Sequence, residues 1–220
     1  MRLIGLDLDG TLEDSRDDMV AAARRVRARL GLSERPEGAL RPWVNAGMDR
    51  LYRACFDDYL GGDAGSARYA EVQGAYDADY LENVAVTTRL YAGIAEALAG
   101  LSRLGALACI TNKPERISRR LLDELGVGPL FSTVIGGDTC ARAKPHPMML
   151  GAAAERCGFD AARGQAFMIG DTAADIELAH AFGATAVWCA WGYSSELDAA
   201  ARAPHFIART PQELVSIVGH

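Results

Sequence analysis

The chain has 220 residues, of which half are hydrophobic and about a quarter are charged, a composition typical of globular proteins. Its net charge of −6 argues against nucleic acid or an anionic membrane surface as a partner. No apolar run approaches the ~20 residues of a membrane span. The five cysteines form no C-x-x-C pair and predict reduced thiols. We therefore expect a soluble, cytoplasmic protein.

The predicted elements begin with a short strand at residues 3–6 and a helix at 14–30. Residues 32–83 contain no convincing strand but show helical patterning at 40–60 and 64–81. Helices then follow at 93–104, 115–125, 147–157, 173–182 and 211–218. They alternate with strands at 106–110, 133–135, 166–169, 184–188 and 205–208. Such alternation predicts βαβ units and a parallel sheet.

The separation between the first two strands is unusual. A simple βαβ crossover takes roughly 30 residues, and the distance from 3–6 to 106–110 far exceeds that length. We therefore predict two domains: a core made of 1–14 and 86–220, and an inserted cap at 15–85. The predicted fold class is α/β, a Rossmann-like parallel sheet with helices on both faces plus an all-helical cap.

Polar residues follow three of the predicted strands. Asp7 and Asp9 follow the first, and Thr111 and Asn112 follow the second. Residues 171–175 follow the strand at 166–169, and Lys144 lies in the loop before the helix at 147–157. Because parallel strands end on the same side of a sheet, we expect these residues to meet at one edge.

The chemistry of this set is narrow. Asp7, Asp9 and Asp171 offer oxygen ligands that suit Mg²⁺. A carboxylate can attack phosphorus and form an aspartyl-phosphate, and a second carboxyl two residues later, that of Asp9, can act as acid and base. Donors for the phosphoryl oxygens would come from Thr111, Asn112 and Lys144.

Four segments resemble, in order, the signature motifs of the haloacid-dehalogenase-like hydrolase superfamily. They are Asp-Leu-Asp-Gly-Thr at 7–11, Thr-Asn at 111–112, Lys-Pro at 144–145 and Gly-Asp-Thr-Ala-Ala-Asp at 170–175. The helical insert is similar to the cap of the phosphoglycolate-phosphatase-like branch.

The resemblance implies a role for each matching residue. It implies Asp7 as nucleophile, Asp9 as acid/base and main-chain metal ligand, and Asp171 as metal ligand. Asp175 would be an outer-sphere ligand that contacts the metal through water, and Thr111 and Lys144 would bind phosphate. A looser match of residues 44–51 to a substrate-facing cap segment makes Asn45 and Arg50 candidate substrate contacts.

The predicted function is a Mg²⁺-dependent phosphatase for a small phosphate ester, with 2-phosphoglycolate as the substrate that the resemblance suggests. Pyrophosphate, sugar phosphates, nucleoside monophosphates and a phosphomutase reaction stay open. The presence of Asp9 with Asp171 disfavours a haloacid dehalogenase. The insert, and Asp7 following the first strand, disfavour a phospho-accepting signalling module. A monomer and a homodimer are both compatible with the sequence.

Overall fold

The computed structural model describes residues 1–44, 46–61, 67–195 and 202–220. The chain divides into two compact units, one made of residues 1–14 and 90–220 and the other of residues 15–89. The predicted domain boundaries, a core of 1–14 and 86–220 with a cap at 15–85, stay predictions from the sequence.

The first unit is built on a six-stranded sheet in the order β5-β4-β1-β6-β7-β8. Its strands are β1 (Arg2–Leu6), β4 (Ala106–Ile110), β5 (Phe131–Ile135), β6 (Gln165–Gly170), β7 (Thr185–Cys189) and β8 (Phe206–Ala208). Every neighbouring pair is parallel, and β1 lies between β4 and β6. The carboxyl ends of these three central strands are therefore adjacent, as the sequence predicts.

Helices cover both faces of this sheet, which confirms the predicted fold class. They are α6 (Ile94–Leu101), α7 (Glu115–Glu124), α8 (Met148–Arg156), α9 (Ala173–Phe182) and α10 (Pro211–Gly219). The central strands are buried almost continuously, as expected for parallel strands that are covered on two sides. One part of the core joins Leu3 and Trp188 of the sheet to Met149 and Leu150 of α8.

The second unit is helical, with α1 (Arg16–Arg29), α2 (Glu37–Val44), α3 (Met48–Cys55), α4 (Asp57–Leu60) and α5 (Ala67–Glu82). Its interior contains the buried rings of Tyr52, Tyr76 and Tyr80, with Tyr52 and Tyr76 packed edge to face. The helical patterning predicted at 40–60 is divided among α2, α3 and α4. A two-stranded sheet, β2 (Glu13–Asp14) with β3 (Arg89–Leu90), forms where the chain passes between the units.

Asp18 joins the two ends of the helical unit. Its carboxylate, near the start of α1, accepts hydrogen bonds from the main-chain N–H and hydroxyl groups of both Thr87 and Thr88, at 2.7–3.0 Å. These bonds stabilise the ionised carboxylate and, although burial opposes them, lower the pKa of Asp18.

Among the described helices, none combines the length and apolar character that crossing a bilayer requires.

Candidate active site

Three carboxylates meet at the carboxyl edge of the central strands. Asp7 directly follows β1, Asp171 directly follows β6, and Asp175 lies in the first turn of α9. One oxygen from each lies within 4.8 Å of the others, and all three side chains are buried. The main-chain N–H of Asp7 donates to Ile169 at 2.9 Å, so the β1–β6 pairing continues into the site.

Lys144 lies among these carboxylates. Its Nζ is 2.6 Å from Asp7 Oδ1 and 2.7 Å from Asp175 Oδ1, and its side chain is buried. Asn112 holds the lysine's main chain, because its Oδ1 accepts from the Lys144 N–H at 3.0 Å and its Nδ2 donates to the Lys144 carbonyl at 3.4 Å. The Asn112 side chain is therefore directed at the loop that carries Lys144.

Asp171 is fixed by two further contacts. Thr11 Oγ1 donates to its Oδ1 at 3.0 Å, and the main-chain N–H of Tyr193 donates to its Oδ2 at 2.7 Å. Gly10 and Gly192 approach so closely that a side chain at either position would collide with Asp171. Thr11 and Tyr193 are not among the predicted site residues, although Thr11 lies in the first of the four segments that carry the resemblance.

Asp175 uses both of its carboxylate oxygens. Oδ1 contacts Lys144, and Oδ2 accepts from the main-chain N–H of Thr172 at 3.0 Å and from its hydroxyl at 2.6 Å. Thr172 and Asp175 form a capping box at the start of α9. Asp175 thus positions Lys144 and also stabilises the helix that begins after Asp171.

The electrostatic balance of the cluster favours a bound cation. When all three carboxyl groups are ionised, Lys144 compensates one charge and two remain. Burial, followed by the charge of Asp175, raises the pKa of Asp7 well above its ordinary value and that of Asp171 to about 7. Burial would lower the pKa of Lys144, but the carboxylates of Asp175 and Asp7 raise it above its ordinary value. An all-oxygen, negatively charged donor set fits a hard divalent cation.

Asp9 lies outside this cluster and faces a different cation. Its Oδ1 is 2.5 Å from Nζ of Lys113, whose side chain is buried. Thr111 is also buried, and its hydroxyl accepts from the main-chain N–H of Lys113 at 3.1 Å. Lys113 is not among the residues that the sequence predicts. The available signal was its position directly after Thr111 and Asn112, at the end of β4.

The two candidate cap residues, Asn45 and Arg50, stay predictions from the sequence. Asn45 lies outside the described residues. Arg50 is an exposed residue of α3 in the helical unit.

The chain matches known proteins over most of its length. Residues 1–183 match the family model for haloacid dehalogenase-like hydrolases. The chain is 36% identical to the phosphoglycolate phosphatase of Nitrosococcus oceani, over 89% of this chain and 87% of that protein. It is 32% identical to the phosphoglycolate phosphatase of Mannheimia succiniciproducens, over 99% and 98% of the two chains.

A solved structure is also similar. The crystal structure of a predicted phosphoglycolate phosphatase from Haemophilus somnus has a TM-score of 0.82 and 27% identity, covering 98% of this chain and 96% of that one. The chain therefore belongs to the haloacid dehalogenase-like hydrolase family, in its phosphoglycolate phosphatase-like branch.

Proposed function

We propose that this phosphoric monoester hydrolase acts on 2-phosphoglycolate through an aspartyl-phosphate formed on Asp7, with Mg²⁺ as cofactor. The observation that carries the proposal is the buried arrangement of Asp7, Asp171 and Asp175 around Lys144 at one sheet edge. A buried excess of negative charge is costly unless a cation compensates it, and a phosphate substrate requires the same compensation.

The residues that would hold the metal are Asp7, Asp171 and the main-chain carbonyl of Asp9, with Asp175 contacting it through water. When bound, Mg²⁺ offsets the repulsion between a carboxylate nucleophile and a phosphate dianion. Thr11 and Tyr193 support this assignment, since their contacts fix the carboxylate of Asp171. Such supporting contacts orient metal ligands and limit their movement.

The reaction divides into two steps on the chain's own residues. An oxygen of Asp7 attacks phosphorus, the bond to the ester oxygen breaks, and Asp9 gives its proton to the leaving alkoxide. Asp9 then takes a proton from a water molecule, which attacks the phosphorus of the aspartyl-phosphate and regenerates Asp7. Lys113 Nζ, 2.5 Å from Asp9 Oδ1, would help to hold the Asp9 carboxyl in place for both steps.

Lys144 and Thr111 supply the phosphate-binding groups of the proposal. The ammonium of Lys144 touches Asp7 and so lies where the transferred phosphoryl group would bind. Asn112 contributes by holding the lysine's main chain, since its side-chain amide is bonded there. Fixed donors of this kind stabilise charge that develops on the phosphoryl oxygens.

The choice of 2-phosphoglycolate is supported by the names of the curated relatives. We also propose a cytoplasmic location, supported by five cysteines that are all free thiols. Pyrophosphate, sugar phosphates and nucleoside monophosphates are the substrates to compare, and a phosphomutase reaction is the alternative outcome.

The test is release of inorganic phosphate from 2-phosphoglycolate, pyrophosphate, a hexose 1-phosphate and a nucleoside monophosphate, with Mg²⁺ or with EDTA. We expect the highest kcat/KM for 2-phosphoglycolate and no release in EDTA. Asp7→Asn should lower the rate about a thousandfold or more, while Asp123→Asn, on the exposed side of α7, should not change it. Equal rates for wild type and Asp7→Asn would contradict the role of Asp7 as nucleophile. Formation of hexose 6-phosphate from the hexose 1-phosphate would indicate a mutase.

A further inference from the structure

Glu13 is a buried carboxyl that the proposed reaction does not use. It lies in β2, shortly after the loop that carries Asp7 and Asp9, and its exposed fraction is 0%. Neither of its carboxylate oxygens has a hydrogen-bond partner of normal geometry. Burial, followed by the charge of Asp9, raises the pKa of Glu13 well above its ordinary value, and Lys113 opposes the rise.

The local backbone brings Glu13 to Asp9. The main-chain N–H of Gly10 donates to the Glu13 carbonyl at 2.9 Å, and Asp9 and Glu13 form an isolated β-bridge. Gly10 has a φ of +81°, which a residue with a side chain adopts only with strain. The loop at 8–13 is therefore closed on itself, and the two carboxyl groups are held as neighbours.

Asp9 thus has a cation and a second carboxyl beside it. Lys113 Nζ contacts Asp9 Oδ1 at 2.5 Å, and the side chain of Lys113 is 1% exposed. The lysine attracts the carboxylate of Asp9, and the buried carboxyl of Glu13 lies beside both groups. The two neighbours together restrict the orientations that Asp9 can adopt.

Fold stability alone does not account for a glutamate at this position. The loop residues Leu8 and Leu12 are fully buried and apolar, whereas Glu13 is a buried carboxyl with Asp9 and Lys113 beside it. Burying one carboxyl beside another is unfavourable, and apolar replacements of buried charged groups are often neutral or stabilising. Groups that reduce stability in this way are concentrated at functional sites.

We propose that Glu13 is a positioning residue for Asp9, acting together with Lys113 to orient the carboxyl that protonates the leaving alkoxide. The inference rests on the proposed function, since it assigns Asp9 as the acid. A positioning role predicts that the loss of Glu13 harms only reactions in which the leaving group needs a proton.

Two esters separate this role from a structural one. The alkoxide released from 2-phosphoglycolate needs protonation, whereas the phenolate released from 4-nitrophenyl phosphate does not. Glu13→Val should lower kcat/KM for 2-phosphoglycolate roughly 10- to 100-fold and leave that for 4-nitrophenyl phosphate within about threefold. The parameter kcat/KM is chosen because it excludes the later hydrolysis of the phosphoenzyme, which both substrates share. The melting temperature of Glu13→Val should be about 2–4 °C higher than that of the wild type.

Three further variants complete the experiment. Asp9→Asn should show the same selective loss, to a larger extent, and Glu13→Gln should show a smaller selective loss with nearly unchanged packing. Glu155→Gln, on the exposed side of α8, should leave both esters unaffected. The role of Glu13 would be overturned if the wild type is active and Glu13→Val has the same ratio of kcat/KM for 2-phosphoglycolate to kcat/KM for 4-nitrophenyl phosphate. If the valine variant does not fold, the same comparison is made with Glu13→Gln. A wild type that hydrolyses neither ester would contradict the proposed function itself.

Discussion

Charged groups are used differently in the two units of the molecule. At the edge of the central sheet, Lys144 contacts Asp7 and Asp175 with exposed side-chain fractions of 3%, 6% and 0%. In the helical unit, Arg41 pairs with Asp17 and Glu37, and those side chains are 35%, 63% and 56% exposed. Surface pairs contribute little to stability because water and salt screen them, whereas buried charges depend on their partners. The sheet edge therefore concentrates buried charge around one lysine, whereas the two pairs of Arg41 in the helical unit are largely exposed.

Removing the central lysine should produce the largest difference between the two regions. Lys144→Met leaves the carboxylates of Asp7 and Asp175 buried without their cation, so we expect a loss of about 3–5 kcal/mol in the free energy of unfolding. Phosphatase activity should also be lost. Arg41→Met, in the exposed pair of the helical unit, should change the unfolding free energy by less than about 1 kcal/mol. Urea unfolding of the metal-free variants measures the loss of unfolding free energy in each. Equal losses in Lys144→Met and Arg41→Met would contradict the comparison.

The pH dependence of stability should sharpen the same contrast. Burial raises the pKa of Asp171 to about 7 from an ordinary value of 3.8. Between these values the folded state binds a proton that the unfolded state has released, so stability falls as pH rises from about 4 to about 7. We expect metal-free protein to lose roughly 1 kcal/mol per pH unit in this range.

Two controls distinguish Asp171 from the rest of the chain. Asp171→Asn should flatten this part of the profile, and saturating Mg²⁺ should also flatten it by stabilising the ionised carboxylates. Denaturant melts at pH 5 and pH 8 provide the measurement. Stability of wild-type apoprotein that increases over this range would contradict the raised pKa.

A smaller effect is expected within the helical unit, at Asp18. Asp18→Ala removes the acceptor for the N–H and hydroxyl groups of Thr87 and Thr88, which should destabilise the protein by about 1–3 kcal/mol. Because the folded pKa of Asp18 is lowered, its contribution is present above the unfolded pKa and is lost as pH falls. The neighbouring Asp17→Ala removes only an exposed pair and should cost less than about 1 kcal/mol. Thermal melts in which Asp17→Ala destabilises the protein more than Asp18→Ala would contradict this description.

The sequence predicts the sheet edge much better than the details around it. Strand ends fix the positions of Asp7, Thr111 and Asp171, because side chains that follow adjacent parallel strands must converge. The direction of a side chain is not determined in this way, so the contact of Lys113 with Asp9 and that of Asn112 with the Lys144 main chain were not predictable. Glu13 lies where local patterning suggests no role, since its burial depends on how the loop at 8–13 closes.

The helical unit was less predictable than the sheet. Its hydrophobic pattern indicates helices but does not define where α2, α3 and α4 end, because short helices depend on tertiary packing more than on local propensity. Asn45, one of the two candidate substrate contacts, lies outside the described residues. Substrate contacts from this unit therefore stay predictions from the sequence.

The most direct test of the account is to trap the covalent intermediate. Borohydride reduces an acyl phosphate to an alcohol, so an aspartyl-phosphate formed during turnover of 2-phosphoglycolate with Mg²⁺ becomes homoserine at the modified position. We predict homoserine at residue 7 by peptide mass spectrometry, dependent on both substrate and Mg²⁺ and absent when Asp7 is replaced by asparagine. Homoserine at Asp9 or Asp171, or an unmodified Asp7 in enzyme that is turning over, would contradict the account.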